Sequence, residues 1–419
     1  MAIKHGTANI STISIYASGG ISAAGPAHIY HNDTWVFDER CIRFYSSSSF
    51  TIKLANSNGG ASWNGTIQTT KSTALIDVST WLDYTADTEL TAALVNYGDG
   101  LSRYEISFRG VGNTRLATGT GVANCSTFTI TGTDVYCDGD LLYLLDYSTN
   151  VGSNAQAYTY ARLFQNCAAL KSLPKMSLAT LPSYCYYYTY MGCTGLIEVP
   201  TSKLIYTGFT SGSSYNCGYM FYGCTGIKSV SMPSTLTSFT ERCYYYMFYN
   251  NTALLNAPSI MPNNTSVILG TYCFGYMFYY CTSLVNATFT NVLTFGTQGT
   301  LGSGSTLGTY CFASMFQNCS ALTYARKTIT TSYDIVKLAP TSLNSNCYRR
   351  MYYNCSSLKF ATGSSITGDG RYSHAYRIPT SGTAGGTTTN ATYQMLTGTG
   401  GTFTGTPTLG TTYYGFIPD

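Results

Sequence analysis

Cysteine is the residue whose type and spacing most suggest chemistry in this chain of 419 residues. Pairs eight residues apart recur four times, at Cys185/Cys193, Cys273/Cys281, Cys311/Cys319 and Cys347/Cys355. Zinc ligands usually lie two to four residues apart, and no Cys-x-x-Cys occurs. On a helix, eight residues rise about 12 Å, which is too far for a disulfide within one pair. We therefore expect buried thiols that act as small apolar groups, with oxidation between neighbouring repeats as the alternative.

Carboxylates and histidines are the next candidates for catalysis. Hydrolysis of a polysaccharide needs two carboxylates, but the acids after residue 150 are scattered: Glu198, Glu241, Asp334, Asp369 and Asp419. Asp138-Gly-Asp140 is typical of a turn, with Ca²⁺ binding as the alternative. We interpret His28 and His31 as part of a surface turn, although a metal pair is conceivable. The sequence has no nucleophile elbow and no phosphate loop. We predict no enzymatic activity, no metal site and no cofactor, against the alternative of a glycan-processing enzyme.

Tyrosine runs are the remaining candidates for function. Tyrosine supplies rigid, amphipathic contact area at a low entropic cost, and binding surfaces favour it for that reason. The candidate ligand-binding residues, which would form an aromatic ladder for sugars or proteins, are Tyr186, Tyr187, Tyr188, Tyr244, Tyr245, Tyr246, Tyr279, Tyr280, Tyr352 and Tyr353. The competing interpretation is structural: half of these rings would point into the core and others would pack against neighbouring subunits.

The elements that must position these residues are internal repeats. One block combines Tyr-Cys, further aromatics, Met-Phe, two residues, Cys, Thr or Ser, a small residue and Leu, and it is clearest at Tyr272–Leu284 and Tyr310–Leu322. Its Met position recurs at Leu163, Thr189, Met220, Met247, Met277, Met315 and Met351. The apolar residues at i, i+1 and i+4 favour a short helix, and pieces such as Leu284–Phe289 favour a short strand. A degenerate eighth unit lies at Tyr393–Phe403.

The repeated block resembles the BspA-type leucine-rich repeat in its Cys-Tyr-x-x-Met-Phe-x-x-Cys-Thr-Ser-Leu variant. That variant is similar to arrays in bacterial surface proteins and in tail or fibre proteins of gut phages. The resemblance implies an α/β repeat solenoid of the leucine-rich-repeat type, capped at both ends. It also implies a structural ladder of residues that close each turn: Cys167, Cys193, Cys224, Asn251, Cys281, Cys319 and Cys355.

The residues before the repeats differ in pattern and suggest a small β-rich N-terminal module. Alternating or β-branched segments predict strands at Thr12–Tyr16, Thr34–Phe37, Ser49–Leu54 and Tyr104–Arg109, and Asp87–Tyr97 suggests a short helix. Phe128–Asp146 resembles the cap that precedes such arrays. The predicted organisation is a β module for anchoring at 1–60, an α+β connector at 61–123, a cap at 124–155 and the repeat solenoid with its C-terminal cap at 156–419.

Charge and composition reduce the number of protein classes to which this chain could belong. Charged residues make up 10% of the chain, well below the roughly 25% of typical globular domains, while 39 Tyr and 19 Phe exclude a disordered chain. From Cys243 to Ala325 there is no charged side chain, which suits a subunit held in an assembly. No apolar run is long enough for a transmembrane helix, and the start lacks the apolar region of a secretory signal, so we expect synthesis in a cytoplasm without use of that export route.

With the resemblance, these observations favour a non-enzymatic structural protein of a phage virion: a fibre, an appendage or a capsid-surface decoration. We expect it at the virion surface, attached to other virion proteins through its N-terminal module and forming homo-oligomers. Its array would contact a host-surface glycan or protein, and we expect neither nucleic acid nor a membrane as a partner. The alternative is a bacterial cell-surface adhesin with the same repeats.

Overall fold

The fold is described from a computed structural model. It describes residues 4–5, 8–9, 15–16, 28–31, 34–38, 40–56, 62–70, 81–98, 101–148, 155–258, 260, 266–285, 305–323, 335–337, 343–362, 372–377, 390–408 and 410–416. The predicted strand Leu284–Phe289 lies outside these residues from position 286 onward, as does most of the predicted strand Thr12–Tyr16.

Regular secondary structure in the described residues consists of strands and two 3₁₀ turns, Val122–Asn124 and Leu141–Leu144. The strands are β1 (Lys4–His5), β2 (Ala8–Asn9), β3 (Ile15–Tyr16), β4 (His28–His31), β5 (Thr34–Asp38), β6 (Ile42–Ser46), β7 (Thr51–Asn56), β8 (Thr66–Thr70), β9 (Leu82–Asp83), β10 (Leu90–Thr91), β11 (Ala93–Gly98), β12 (Leu101–Val111), β13 (Ser126–Thr131), β14 (Tyr136–Gly139), β15 (Thr180–Leu181), β16 (Glu198–Val199), β17 (Gly208–Phe209), β18 (Ser229–Val230), β19 (Ser238–Phe239), β20 (Ile268–Leu269), β21 (Ile335–Lys337), β22 (Lys359–Thr362), β23 (Tyr372–Arg377), β24 (Gly400–Gly401) and β25 (Thr412–Phe416).

Two antiparallel sheets dominate the part of the chain before the repeats. One has the order β14-β6-β12-β8-β9, with β11 also paired to β12, and the other has the order β10-β7-β13. Phe44 on β6 and Phe108 on β12 contact Phe128 on β13, with ring centroids 5.1 and 5.2 Å apart. The two sheets therefore pack face to face over a shared aromatic core. Further upstream, β1 pairs with β2, and β3, β4 and β5 form a small antiparallel sheet.

Most of the predicted strands in this region are confirmed, but the predicted helix is wrong. The strand predicted at Tyr104–Arg109 lies inside β12, and those predicted at Thr34–Phe37 and Ser49–Leu54 correspond to β5 and β7. The segment Asp87–Tyr97 instead forms β10 and most of β11. At the start of this segment every second side chain is buried, as Leu90 and Ala92 show, which is the period of a strand. Strand β11 also forms hydrogen bonds with β12, which a helix at these residues could not form.

The aromatic-Met-Phe segments are runs of consecutive turns, which we call turn runs. They cover residues 157–166, 183–192, 216–223, 242–250, 271–280, 309–318, 345–354 and 391–398. In each of the first seven units, every fourth residue has a positive φ; in the second unit these are Tyr184 (55°), Tyr188 (56°) and Gly192 (72°). An α-helix of L-residues cannot contain such positions, whereas the third position of a type II turn requires one.

Two alternating sets of hydrogen bonds hold the turn runs. The amides of Tyr186 and Tyr190 donate to carbonyls of the next unit, at Asn216 (2.7 Å) and Met220 (2.9 Å). The intervening amides donate back three residues, as from Tyr187 to the carbonyl of Tyr184 (3.3 Å). The same alternation continues to residues 391–397, so the predicted eighth unit extends the stack. Satisfaction of these buried amides makes the runs of turns stable without helix or sheet.

The predicted fold class, an α/β repeat solenoid of the leucine-rich-repeat type, is therefore wrong. The described residues contain no α-helix, the larger sheets are mainly antiparallel, and the parallel pairs between repeats (β15-β17, β16-β18 and β19-β20) are only two residues long. They do not close into a continuous solenoid. The error has a physical origin: a four-residue spacing of aromatic groups suits a helix and also suits turns that repeat every four residues.

A column of stacked rings joins the N-terminal sheets to the repeats. It passes from Phe128 to Phe164, Tyr190, Phe221, Phe248, Phe278, Phe316 and Tyr352, with successive centroids 5.1–5.6 Å apart. All of these rings are buried and belong to one hydrophobic cluster. Aromatic pairs contribute about 0.5–1.5 kcal/mol each beyond their burial, so this column links the stability of neighbouring units.

The chain ends in a mixed sheet of the order β21-β23-β25-β22-β24. Strand β22 follows the seventh turn run and pairs with β24, which follows the eighth, so this sheet extends from the last units. Within the described residues, no helix is long and apolar enough to cross a membrane.

Candidate functional site: a tyrosine face on the repeats

The structure divides the predicted ligand-binding tyrosines into two groups. Tyr186, Tyr244 and Tyr352 lie in the core with at most 1% of their surface exposed, so their assignment to a binding surface is wrong. The other seven are partly or largely exposed: Tyr187, Tyr188, Tyr245, Tyr246, Tyr279, Tyr280 and Tyr353. In the runs Tyr186–Tyr188 and Tyr244–Tyr246, the residue after the first cysteine points inward and the next two point outward. Tyr352 is buried because it takes the place of the phenylalanine that follows Met in other units.

All of these exposed rings except Tyr353 belong to a larger connected surface, which we call the tyrosine face. It comprises Tyr158, Tyr184, Tyr187, Tyr188, Tyr215, Tyr219, Tyr222, Tyr245, Tyr246, Tyr249, Tyr272, Tyr276, Tyr279, Tyr280 and Tyr310. Each ring contacts at least one other member. Several of these residues are isolated from the tyrosine runs in the sequence, and only their constant position within the repeat could have identified them.

Stacking across units arranges the face in columns. One column contains Tyr188, Tyr219, Tyr246 and Tyr276, with successive centroids 4.5, 5.1 and 4.6 Å apart. The last two pairs are parallel to within 9°. All four residues have positive φ, an unusual conformation for a bulky residue. Each column therefore repeats one backbone conformation and one ring position from unit to unit.

Arginine side chains complete two of the columns. Arg242 occupies the position that is tyrosine in the units before and after it, and its guanidinium lies over Tyr215 (5.3 Å) and Tyr272 (5.2 Å). Arg162 lies over Tyr188 at 4.5 Å and so covers the end of the central column. These cation–π contacts continue the stacking and place positive charge within the face. Arg242 also pairs with Glu241, which neutralises part of that charge.

The stacking decides which part of each ring a ligand can reach. In the central column, neighbouring rings cover each other's faces, so the accessible parts are the ring edges and their hydroxyl groups. Burial raises the pKa of Tyr219 and Tyr246, and it raises the pKa of Tyr245 to about 12. The hydroxyls are therefore neutral at physiological pH, and each can both donate and accept a hydrogen bond.

The residues of the predicted structural ladder are buried, and the six thiols among them donate to backbone carbonyls of the neighbouring preceding element. The sulfur–oxygen distances are 2.9–3.1 Å for Cys167, Cys193, Cys224, Cys281, Cys319 and Cys355. All fifteen cysteines are buried. Burial raises the pKa of Cys167, Cys224 and Cys281 to about 12, so these groups remain protonated donors.

Asn251 takes the place of cysteine in the fourth unit and interrupts the ladder. It is fully buried, and neither polar atom of its side chain has a hydrogen-bond partner in the described part of the chain. By analogy with its neighbours, the carbonyl it faces is that of Phe221. The repeat alignment identifies the position, but only the structure reveals the unsatisfied amide.

Within the described residues, no three His, Cys, Asp or Glu side chains group closely enough to hold a metal ion. Asp138 lies in β14 and forms two hydrogen bonds with Arg43, at 3.1 and 2.7 Å. The side chain of Asp140 accepts a hydrogen bond from the amide of Leu142 at the start of the 3₁₀ turn Leu141–Leu144. The turn predicted at Asp138-Gly-Asp140 is wrong, because Asp138 and Gly139 lie in β14, which pairs with β6.

Comparisons with known proteins identify no relative: no family model, no curated protein and no solved structure matches this chain.

Proposed function

We propose that this chain is a non-enzymatic structural protein of a phage virion, such as a fibre, an appendage or a capsid-surface decoration, that attaches the particle to its host. The tyrosine face is the observation that carries the proposal. It offers a contiguous, hydroxyl-rich surface that spans the units from Tyr158 to Tyr310. The resemblance of the repeat sequence to BspA-type repeats of phage and bacterial surface proteins points to the same role.

The geometry of the face suits a repeating ligand. Hydroxyl groups recur from unit to unit at the spacing of the stacked rings, about 5 Å, so one polymer could use the same hydrogen bond several times. The rings are already ordered by their neighbours, which lowers the entropic cost of binding. We propose a host-surface glycan as the ligand, with a host protein as the alternative.

The electrostatics of the polar groups support a role in binding rather than catalysis. A nucleophilic cysteine needs a lowered pKa, whereas burial raises the pKa of the thiols in the repeats. A phenol serves as a general base only when it ionises near neutral pH, and the pKa of Tyr219 is raised above its usual value.

The N-terminal module would anchor the chain to other virion proteins and place it at the virion surface, and further copies of the chain would form a homo-oligomer. The stretch without charge from Cys243 to Ala325 supports assembly, because a free monomer usually depends on surface charge for solubility.

The proposal is tested by mass spectrometry of purified particles, followed by electron microscopy with an antibody against residues 155–323. We expect the chain in the particles, with the antibody on a projecting part of the surface. Absence from particles, with the chain instead in the envelope of uninfected bacteria, would overturn the virion assignment in favour of a bacterial adhesin.

A further inference from the structure

A polar cleft lies where the N-terminal sheets meet the first repeats, and the described residues that line it include no member of the tyrosine face. Its volume is about 260 Å³, and its lining includes Arg43, Asp138, Asp140, Tyr143, Lys175 and Lys203. Strands β6 and β14 supply one wall, and the two lysines come from the segments that follow the first and second turn runs. The cleft therefore depends on the docking of the repeats against the sheets.

Only some of the charged side chains in the cleft form ion pairs with each other. Arg43 and Asp138 are paired through two hydrogen bonds. Lys175 and Lys203, in contrast, form no ion pair within the described residues. Backbone hydrogen bonds hold their segments in place, such as the one that the amide of Lys175 donates to the carbonyl of Gly139 (2.7 Å). With three cations and two carboxylates, the lining carries one net positive charge.

Asp140 adds a hydrogen-bond acceptor to the same cleft. Its carboxylate accepts from the Ser177 hydroxyl and from the amide of Leu142 (3.0 Å), and these contacts fix its orientation. Burial raises its pKa above the ordinary value, while the hydrogen bonds and the nearby Lys175 oppose that rise. Carboxylates have several acceptor sites each, so Asp138 and Asp140 keep capacity for donors on a ligand.

We propose that this cleft binds an acidic monosaccharide through its carboxylate and its hydroxyl groups. The ammonium groups of Lys175 and Lys203 would bind the carboxylate, and the sugar hydroxyls would donate to Asp138 and Asp140. A phosphate dianion suits the cleft less well, because two carboxylates line a site with one net positive charge. A neutral sugar would leave both lysines without an anion.

The test is titration calorimetry of the full chain with glucuronate, with glucose as the neutral control and glucose 6-phosphate as the dianionic one. We expect glucuronate to bind at millimolar concentrations and at least about tenfold more tightly than either control. Equal affinity for glucuronate and glucose would overturn the proposal, as would the absence of glucuronate binding up to tens of millimolar. Tighter binding of glucose 6-phosphate would also overturn it, in favour of a phosphate site.

Four variants locate the site. Lys175→Gln and Lys203→Gln should each weaken glucuronate binding by about tenfold, while Lys228→Gln, which removes an exposed lysine of a later segment outside the cleft, should leave it unchanged. Lys175→Arg keeps the charge and should retain most of the affinity, which separates loss of charge from loss of fold. An equal effect of all three glutamine substitutions would overturn the assignment. The tyrosine face takes no part in this experiment, so its outcome is independent of the proposed attachment function.

Discussion

Asn251 lacks the hydrogen bond that the cysteine at the same position forms in the other units. Six equivalent thiols donate to a carbonyl of the preceding element at about 3 Å, whereas the buried amide of Asn251 has no partner within the described structure. A buried polar group without a hydrogen bond costs about 1–3 kcal/mol. The fourth unit is therefore a weak point of the array.

Asn251→Cys should raise the free energy of unfolding by about 1–3 kcal/mol, because the thiol can donate to the carbonyl of Phe221 and two unsatisfied atoms are removed. Urea denaturation measures the change. The matched reverse variant is Cys281→Asn, which introduces the same amide into a complete site and should destabilise by a similar amount. A loss of stability in Asn251→Cys would show that the amide is satisfied in solution.

The hydroxyl of Tyr190 is a second buried polar group without a hydrogen-bond partner in the described residues. Phenylalanine occupies the same column position in the units on either side. Tyr190→Phe should therefore stabilise the protein by about 1 kcal/mol while the stacked column stays intact. Thermal unfolding checks this, and a lower midpoint would contradict the account.

The turn run is the element on which the tyrosine face depends, and its distinguishing feature is the positive φ at every fourth residue. At Tyr219 the φ is 56°, and the ring stacks on Tyr188 and Tyr246. The backbone strain of a non-glycine residue in this region is about 1–2 kcal/mol, which the stacked ring offsets.

Comparison of Tyr219→Gly with Tyr219→Ala separates these two contributions. Both variants lose the ring, but only the alanine variant keeps the backbone strain of a non-glycine residue at positive φ. The glycine variant should therefore be more stable than the alanine variant by about 1 kcal/mol. This order is the reverse of the one expected in a helix, where glycine is less favourable than alanine. Equal stability, or greater stability of the alanine variant in urea denaturation, would exclude the turn geometry.

At the scale of the structural elements, the sequence predicts the positions of the repeats better than their conformation. The Met and Cys spacing correctly identifies the units, including the last one at Tyr393–Phe403. Alternation identifies β12 as a strand. The turn runs are missed because tyrosine and arginine seldom adopt positive φ, so neither residue type signals a left-handed position.

The tyrosine face is only partly predictable for the same reason. The consecutive tyrosines are visible in the sequence, but which of them points inward depends on the turns, and Tyr186 and Tyr244 lie in the core. Arg242 completes a tyrosine column only because the units stack in register, which no local pattern reveals.

At the scale of the whole molecule, one buried cluster runs from the N-terminal sheets through the repeats. Many thiols lie in it, and burial raises their pKa, to about 12 for Cys167 and Cys347, from the ordinary 9.0. The folded state therefore holds protons that the unfolded state releases above pH 9.

This linkage predicts the pH dependence of stability. Because the folded pKa values are raised, the stabilisation is complete below pH 9.0 and is lost as the pH rises toward about 12, at about 1.4 kcal/mol per pH unit for each thiol. Urea denaturation at a series of pH values should show a nearly constant free energy of unfolding between pH 7 and pH 8 and a steep fall above 9. Unchanged stability from pH 8 to pH 11 would contradict the burial of the thiols.

The most direct test of the central claim is the adsorption of particles to host cells when the chain carries Tyr219→Phe, Tyr246→Phe and Tyr276→Phe together. These changes remove three hydroxyls from one column and keep the stacked rings, and Tyr186→Phe, which removes a buried hydroxyl, is the matched control. We predict that the adsorption rate falls by at least about tenfold in the triple variant and stays unchanged in the control. Unchanged adsorption by intact particles that carry the triple variant would contradict the claim that the tyrosine face is the attachment surface.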